Sequence, residues 1–357
     1  MLRKLIPKTC RAMLLPKASP AAQFQFTSDH PVRSPESHEV VVKIDACAVA
    51  YRDVLDRTGA FPFIKPNIAL GHEFAGTVVS KGDRTNNLSI GDRVVSLHWD
   101  QKEAWPSPLT RTGPVKSFLG LTTDGGYSEY CTIAEGALIA TPSGWNSIDA
   151  APVMSTFGTI WQGAKVRANM TKKDIVLITG ASGGVGSASI QLCKAMGCQR
   201  IIAVTSSSSN IDYLHEIGAD HVIVTKKGED AAFHKEKIIH DTGGVDVVLE
   251  NVGAPCFAAS LKALRPEGRL VLIGNVSNAK IDLPLGLVIL NSLKIVGSDS
   301  IEGKELKECF DFLTQHNVRP MIDQVMELED VMEAHVMLEN ASTAGRVVLD
   351  ISKDGWE

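Results

Sequence analysis

The sequence predicts an α/β protein in which a doubly wound parallel sheet is joined to a second, β-rich domain. Three observations carry this. Residues 174–186 read Asp-Ile-Val-Leu-Ile-Thr-Gly-Ala-Ser-Gly-Gly-Val-Gly, an apolar run suited to a strand buried on both faces that empties into a glycine-rich turn before a helical pattern. Apolar runs at 200–205, 220–225, 245–252, 269–274 and 294–298 then follow, with helical stretches at 187–196, 230–240 and 257–264 between them. That is the rhythm of βαβ units covering both faces of one sheet. The first 140 residues instead carry short strand signals at 11–15, 39–44 and 127–133, with turn-to-strand passages at 70–79 and 91–95, punctuated by Gly and Pro.

Between these regions a helical pattern at 147–168 leads into the central strand, and residues 98–124 lack periodicity and read as a long surface loop. Residues 45–55 mix polar and apolar side chains without a clear period. After the sheet, helices at 304–315 and 329–338 precede a last strand, 346–351, expected to rejoin the β-rich domain. The expected domains are 12–140, 141–303 and 304–357, with 1–11 outside the folded core.

Composition narrows the function classes. With 357 residues, 44% hydrophobic and a formal charge of -5, the chain has the core of about two domains. Its basic residues are scattered among acids, which marks no specific nucleic-acid surface, and no apolar stretch approaches the ~20 residues of a membrane span. The seven cysteines are dispersed, as expected of reduced thiols in an intracellular protein. The first eleven residues hold four basic side chains and no acid. They read either as a mitochondrial targeting segment or as the frayed basic terminus of a cytoplasmic chain.

The glycine-rich turn is suited to a dinucleotide pyrophosphate. Gly180 allows the tight reversal, Gly183 lets the anion approach the backbone, and Gly186 lets helix and strand pack closely. The expected cofactor contacts are Ala181, Ser182, Gly183, Gly184, Val185 and Gly186. After the second strand an NAD site usually carries Asp or Glu for the ribose 2′-hydroxyl, whereas this chain has Ser206, Ser207, Ser208 and Ser209, and Thr205 to Ser208 are the expected contacts there. Hydroxyls hydrogen-bond to a 2′-phosphate, so NADPH is expected over NADH, although no Arg or Lys stands beside them. Val252, Gly274 and Asn275 lie at later strand ends, where an open α/β sheet binds its ligand.

The residues Gly71-His72-Glu73 with Gly76, Gly91-Asp92-Arg93-Val94, Gly125 to Tyr130, Gly183-Gly184-Val185-Gly186 and Gly218-Ala219-Asp220, in this order and at these separations, resemble the medium-chain dehydrogenase/reductase family of zinc-type alcohol dehydrogenases and quinone oxidoreductases. The resemblance covers nearly the whole chain. It implies a GroES-like catalytic domain built from both chain ends, a Rossmann domain between them and an active site in the cleft. It also implies a homodimer through the edge strand at 294–298, and a place for Thr159 near the nicotinamide. The other reading of Thr159 is a helical threonine bonded to a neighbouring turn.

Zinc-dependent relatives hold the metal with a Cys before the Gly-His-Glu motif, the motif His, and a Cys near the entrance to the second domain. Here Ala50 and Ser155 take the first and third places, leaving His72. Alanine has no lone pair, and a neutral hydroxyl is a poor zinc ligand. The lobe at 98–124 has none of the four cysteines of a structural zinc. Neither zinc is therefore expected, and the rival is a site rebuilt from Cys47, His72, Glu73, His98 or Cys131. On the first reading His72 is a hydrogen-bonded histidine, Glu73 a structural carboxylate, and Cys47 and Cys131 small core hydrophobes.

Without a Lewis acid an isolated ketone is hard to polarise, whereas a conjugated carbonyl or quinone spreads the charge left by hydride addition. The zinc-free relatives are similar to this picture, so the expected substrate is a small enone, enal, enoyl thioester or quinone. The alternatives are a zinc-type alcohol dehydrogenase and an NADPH-binding protein without activity. Tyr51, Arg52 and His72 are the expected catalytic residues: Tyr51 to donate a proton or hold the carbonyl oxygen, Arg52 to bind the enolate oxygen or a cofactor phosphate. Against these stand Tyr51 as a wall residue and Arg52 paired with Asp53.

Overall fold

The computed structural model describes residues 6–60, 64–100, 118–225, 236–277 and 279–352. The chain divides into two compact units, 155–301 with 308–321, and 1–154 with 302–307 and 322–357.

The first of these holds six parallel strands in the order His221–Val224, Arg200–Thr205, Ile175–Ile178, Val245–Glu250, Leu264–Leu272, Lys294–Gly297. The chain starts in the middle of the sheet, runs to one edge, returns, and runs to the other. The reversal lies between Ile175–Ile178 and Val245–Glu250, and such a switch point opens a crevice at the strands' carboxyl ends. Both strands are buried along their full length because the crossovers cover both faces. The helix at the glycine-rich turn runs Gly184–Met196, and another runs Ala254–Ala263. Of the helix expected at 230–240, residues 230–235 lie outside the described ones, and Lys237–Thr242 is helical.

The helix expected at 147–168 is interrupted. An α-turn, Ser147–Ala150, passes through a 3₁₀ turn, Ala151–Val153, into wider π-turns at Met154–Gly158 and Trp161–Arg167. Pro152 lacks the amide proton a regular α-ladder needs at that point.

The other unit is β-rich, as expected. One sheet runs Ile322–Glu327, Arg346–Asp350, Glu39–Val49, Phe74–Lys81, Arg93–Ser96, Leu138–Ala140, with Tyr130–Ala134 also paired to Glu39–Val49. A smaller sheet runs Gln25–Pro31, Thr9–Leu15, Ile68–Ala69. The final strand lies antiparallel to Glu39–Val49 with Leu349 opposite Cys47, so the chain end does rejoin this unit.

Three expectations need correction here. Residues 9–11 are not outside the core: they open the strand Thr9–Leu15, where Cys10 is buried and Arg11 pairs with Glu129; residues 1–5 lie outside the described ones. The strand expected to end at 44 continues to Val49, and the stretch read as mixed then forms the helix Tyr51–Thr58. Residues 118–124, read as surface loop, bury Phe118 and Leu121 against Trp99, since aromatic area is costly to leave in water. Residues 101–117 of that stretch lie outside the described ones.

Candidate functional site

In the β-rich unit one of the expected catalytic residues, His72, bonds to a buried carboxylate, Asp53. The strand Glu39–Val49 ends at Ala50, whose backbone is extended and caps the helix Tyr51–Thr58, and its amide donates to Asp53 Oδ2 at 2.9 Å. That bond turns Asp53 inward, where Oδ1 meets His72 Nδ1 at 2.8 Å. Arg52 consequently does not pair with Asp53. Its Nε donates to Asp56 Oδ1 at 2.8 Å, four residues along the same helix face, and its guanidinium lies 5.3 Å from the Phe118 ring centre. Tyr51, at the helix start, is 38% exposed. The His72 ring lies 4.8 Å from that of His98.

Behind Asp53 runs a chain of buried groups that sequence reasoning missed. The Tyr127 hydroxyl lies 3.0 Å from His335 Nε2, and burial, then the charge of Asp53, raises its pKa. Arg57 Nε donates to His335 Nδ1 at 3.3 Å, and Arg57 Nη1 and Nη2 donate to the Ala22 carbonyl at 2.9 Å and to Glu339 at 2.5 Å. A guanidinium has no lone pair to offer, so Nδ1 of His335 accepts and the proton sits on Nε2. His335 then donates to the Tyr127 oxygen. The Asp53 carboxylate receives the Ala50 amide and the His72 Nδ1 proton, which leaves Nε2 of His72 as its other working atom. Within the sequence Tyr127 was a family marker only, and His335 sits in an apolar helix with nothing to single it out.

The electrostatics follow from burial. Burial alone raises the Asp53 carboxyl, yet the field of His72 and the hydrogen bond from it bring it well below the usual carboxylate range. Burial lowers His335 to about 4, against the pull of Asp53, so it is neutral at physiological pH. Asp56 is pushed by burial up to about 6, with Arg52 opposing. Burial, then the neighbouring His72, lowers His98 far below the ordinary histidine value. Glu73, fully buried, pairs with buried Arg346, as a structural carboxylate does.

The donors around His72 bear on whether a zinc fits there. Among the described residues no group of three His, Cys, Asp or Glu side chains is arranged to hold a metal ion. Ala50 presents a methyl group. Cys47 Sγ donates to the Ala48 carbonyl at 3.7 Å, packed so closely against Gly71 and Gly126 that a Cβ on either would meet it at 2.8 and 2.4 Å. It and Cys131 are buried, as small core hydrophobes would be.

The other unit supplies a nucleotide cradle. Gly180 has φ +55°, a conformation costly for other residues, and a Cβ on Gly186 would stand 2.2 Å from the Gly180 carbonyl. Turn and helix are therefore in contact, while a Cβ on Gly183 would meet nothing nearer than 3.6 Å, so that side is open to an anion. Gly183 is the N-cap, and the amides of Gly184, Val185 and Gly186 open the helix. Ala181 is buried, its amide donating to the Val204 carbonyl at 3.0 Å, whereas Ser182 is half-buried. Thr205 closes its strand, buried; Ser206 and Ser208 are exposed, and Ser207 Oγ lies 2.7 Å from Ser209 Oγ. Thr159 Oγ1 donates to the Ser155 carbonyl at 2.9 Å, the bond to a preceding turn weighed above.

Glu250 was also missed. Fully buried, its carboxylate accepts from Thr179 Oγ1 at 2.7 Å, the amides of Val252 and Gly253 at 2.9 and 3.0 Å, and the Ser260 hydroxyl. Gly274 lies so near that its Cβ would stand 1.8 Å from the Asn251 carbonyl, and Asn275 beyond it is exposed. The cradle fits a dinucleotide: amides at a helix start, glycines where side chains would block the approach, and hydroxyls after the second strand.

Known proteins match on the same scale. Residues 36–143 match the family described as Alcohol dehydrogenase GroES-like domain, and residues 184–315 that described as Zinc-binding dehydrogenase. The acryloyl-coenzyme A reductase of Sulfurisphaera tokodaii is 34% identical over 324 residues, covering 89% of this chain and 94% of the relative. An alcohol dehydrogenase of Geobacillus stearothermophilus is 31% identical over 328 residues, 89% of this chain and 93% of the relative. The crystal structure of AibC superposes with a TM-score of 0.84 at 34% identity, covering 96% of each chain.

The buried chain behind Asp53 generates a pH prediction. His335 has a depressed value, so the unfolded chain takes up a proton between 6.5 and 4 that the folded chain refuses. Stability is therefore lost as pH falls through that window, by up to about 3 kcal/mol from this group. Asp56, raised from 3.8 to about 6, contributes the opposite slope below 6. His335→Gln keeps an acceptor for Arg57 and a donor for Tyr127 but cannot titrate. Denaturant unfolding at pH 7, 6, 5 and 4 should show a smaller loss for the variant than for the wild type, and parallel curves would contradict the assignment of a buried neutral imidazole.

Proposed function

The chain belongs to the medium-chain dehydrogenase/reductase family as an oxidoreductase, and we propose that it uses NADPH to reduce a small α,β-unsaturated carbonyl compound, an enoyl thioester above all, without a catalytic zinc. The observation that carries this reading is the donor set at His72. In the sequence Ala50 and Ser155 take the two places where the resemblance requires thiolates, and the Cys47 thiol is committed to the core. One imidazole cannot hold Zn²⁺ against water. The acryloyl-coenzyme A reductase relative supports an enoyl thioester ahead of an enone, enal or quinone.

When bound, NADPH supplies the hydride. The chain's own residues bind and orient. Helix-start amides at Gly184 to Gly186 take the pyrophosphate, and the hydroxyls of Ser206, Ser207 and Ser208 take the 2′-phosphate. On the substrate side the Tyr51 hydroxyl and the Arg52 guanidinium offer donors to an oxygen that gains charge, a role in which a single positioned donor contributes about 10²-fold. Asp53 fixes the Nδ1 proton of His72 and so directs Nε2 outward from the pair. The rival alcohol dehydrogenase reading requires Cys47 to leave its packing against Gly71 and Gly126.

A homodimer belongs to the same proposal. Lys294–Gly297 is the last strand of its sheet, and nearby on the chain the helix Leu285–Leu290 exposes Ile289 (72%) and Leu290 (86%), an apolar edge suited to pairing with its own copy across a two-fold axis. Solution mass at micromolar concentration should be that of at least two chains; a monomer would remove this part.

Cofactor choice has its own test. Ser206→Asp places a carboxylate against the 2′-phosphate, and the lost charge-assisted bond should weaken NADPH binding by about ten- to a hundredfold and leave NADH favoured. Equal affinity of the unsubstituted protein for both nucleotides would count against NADPH. The reaction is tested by NADPH consumption with a short enoyl-coenzyme A, a simple enone and a benzoquinone, with metal content measured on the same sample. Turnover of the thioester that survives chelation, at well under one zinc per chain, is expected. Activity lost to a chelator and restored by zinc would hand the site to the alcohol dehydrogenase reading.

A further inference from the structure

Seven cysteines are dispersed along the sequence, yet the fold brings two of them together at the far end of the nucleotide-cradle helix. Gly184–Met196 terminates at Gly197, which has φ +72° and ψ 34°. The Gly197 amide donates to the Lys194 carbonyl and the Cys198 amide to the Cys193 carbonyl, both at 3.0 Å. These two bonds are the paired closures that fold the chain back over the last turn and press the residue after the glycine against the residue four before it. The closure at Gly218 presses Ala219 onto Leu214 in the same way. At Gly197 the two facing side chains are thiols, Cys193 and Cys198.

The two are unequal in ways that suit a reactive pair. Cys193 is fully buried, whereas Cys198 is half-exposed at the surface. Cys198 Sγ donates to the Thr171 carbonyl at 3.8 Å. Interaction with the neighbouring Cys193 thiol lowers the pKa of Cys198, and interaction with Cys198, then burial, raises that of Cys193. Cys47, Cys131 and Cys309 are buried and held protonated by burial. The accessible thiol of this pair is therefore Cys198, and its lowered value suits an attacking group.

We propose that Cys193 and Cys198 form a reversible dithiol–disulfide site oxidised by hydroperoxides, with Cys198 as the attacking and Cys193 as the resolving thiol. The Cys198 thiolate attacks one peroxide oxygen: an S–O bond forms, the O–O bond breaks, and the second oxygen leaves with a proton as water or alcohol. Cys193 then gives up its proton and attacks the Cys198 sulfur, forming S–S and expelling the oxygen as water. Two thiols lose two electrons and one peroxide gains them. A disulfide needs a Cα separation of about 4.4–6.8 Å, and the Cys198 amide bonded to the Cys193 carbonyl at 3.0 Å holds the two backbones close together. An external dithiol reverses the step by exchange. The helix is about 20 Å long at 1.5 Å per residue, so this site is separate from the glycine-rich turn, and it stands whatever the substrate is.

The test uses the full chain, reduced and then exposed to about one equivalent of hydrogen peroxide, alkylated and mapped by mass spectrometry. Expected are the loss of two of the seven thiols, a mass decrease of about 2 Da for two hydrogens, a Cys193–Cys198 linkage, and recovery with dithiothreitol. Cys198→Ser should abolish the linkage and leave Cys193 unreactive until the chain is denatured. Cys193→Ala should leave Cys198 as a sulfenic acid trapped by dimedone. Retention of all seven thiols in the wild type would overturn the proposal, as would a Cys198 carried to sulfenic or sulfinic acid while Cys193 remains a thiol.

Discussion

One buried carboxylate braces the carboxyl end of the parallel sheet. Glu250 is fully removed from water, where an unsatisfied charge would cost several kcal/mol, and it is tolerated because four donors surround it. Those donors come from three places: Thr179 before the glycine-rich turn, the backbone leading out of Val245–Glu250, and Ser260 on the following helix. Thr179 returns the connection, its hydroxyl accepting from the Asn251 amide at 2.9 Å and its carbonyl from the Asn251 side chain at 2.9 Å. The two strands flanking the switch point thus leave the sheet in fixed directions. The turn at Gly180 and the open approach over Gly183 depend on that anchoring, since a phosphate site made of backbone amides is only as well placed as the backbone itself.

The β-rich unit uses the same device with opposite surroundings. Asp53 is also buried and bonded, but its side-chain partner is the ionisable His72, and behind it stand Tyr127, His335 and Arg57. In the parallel-sheet unit the carboxylate is a peg. In the β-rich unit it stands beside a proton-ordered line whose direction is set by a guanidinium that cannot accept.

What could be read in the sequence was whatever left a local mark. The run Ile175–Ile178 and Gly186 were legible because burial on both faces and a close helix–strand approach each demand particular residues at particular places. The strands Gln25–Pro31 and Ile322–Glu327 were not, since both lie at sheet edges with mostly exposed side chains and no alternation to betray them. The helix Tyr51–Thr58 was hidden for a sharper reason. Its buried residues include Asp53, Asp56 and Arg57, so the face turned inward is charged and the apolar period that announces a helix is absent. That helix carries Tyr51 and Arg52, and its inverted polarity is the reason the buried Asp53 and Asp56 left no mark in the sequence. His335 joins the site across 278 residues from Arg57, a separation no local pattern encodes.

The same long reach has a consequence for how the molecule is made. Arg346–Asp350 lies between Ile322–Glu327 and Glu39–Val49 within its sheet, and His335 arrives only just before it in the chain. Until both have been made, Glu39–Val49 has no partner on that side and Tyr127 has no imidazole beside it. Every strand of the parallel sheet precedes them in the chain, so of the two units the β-rich one is the later to be completed.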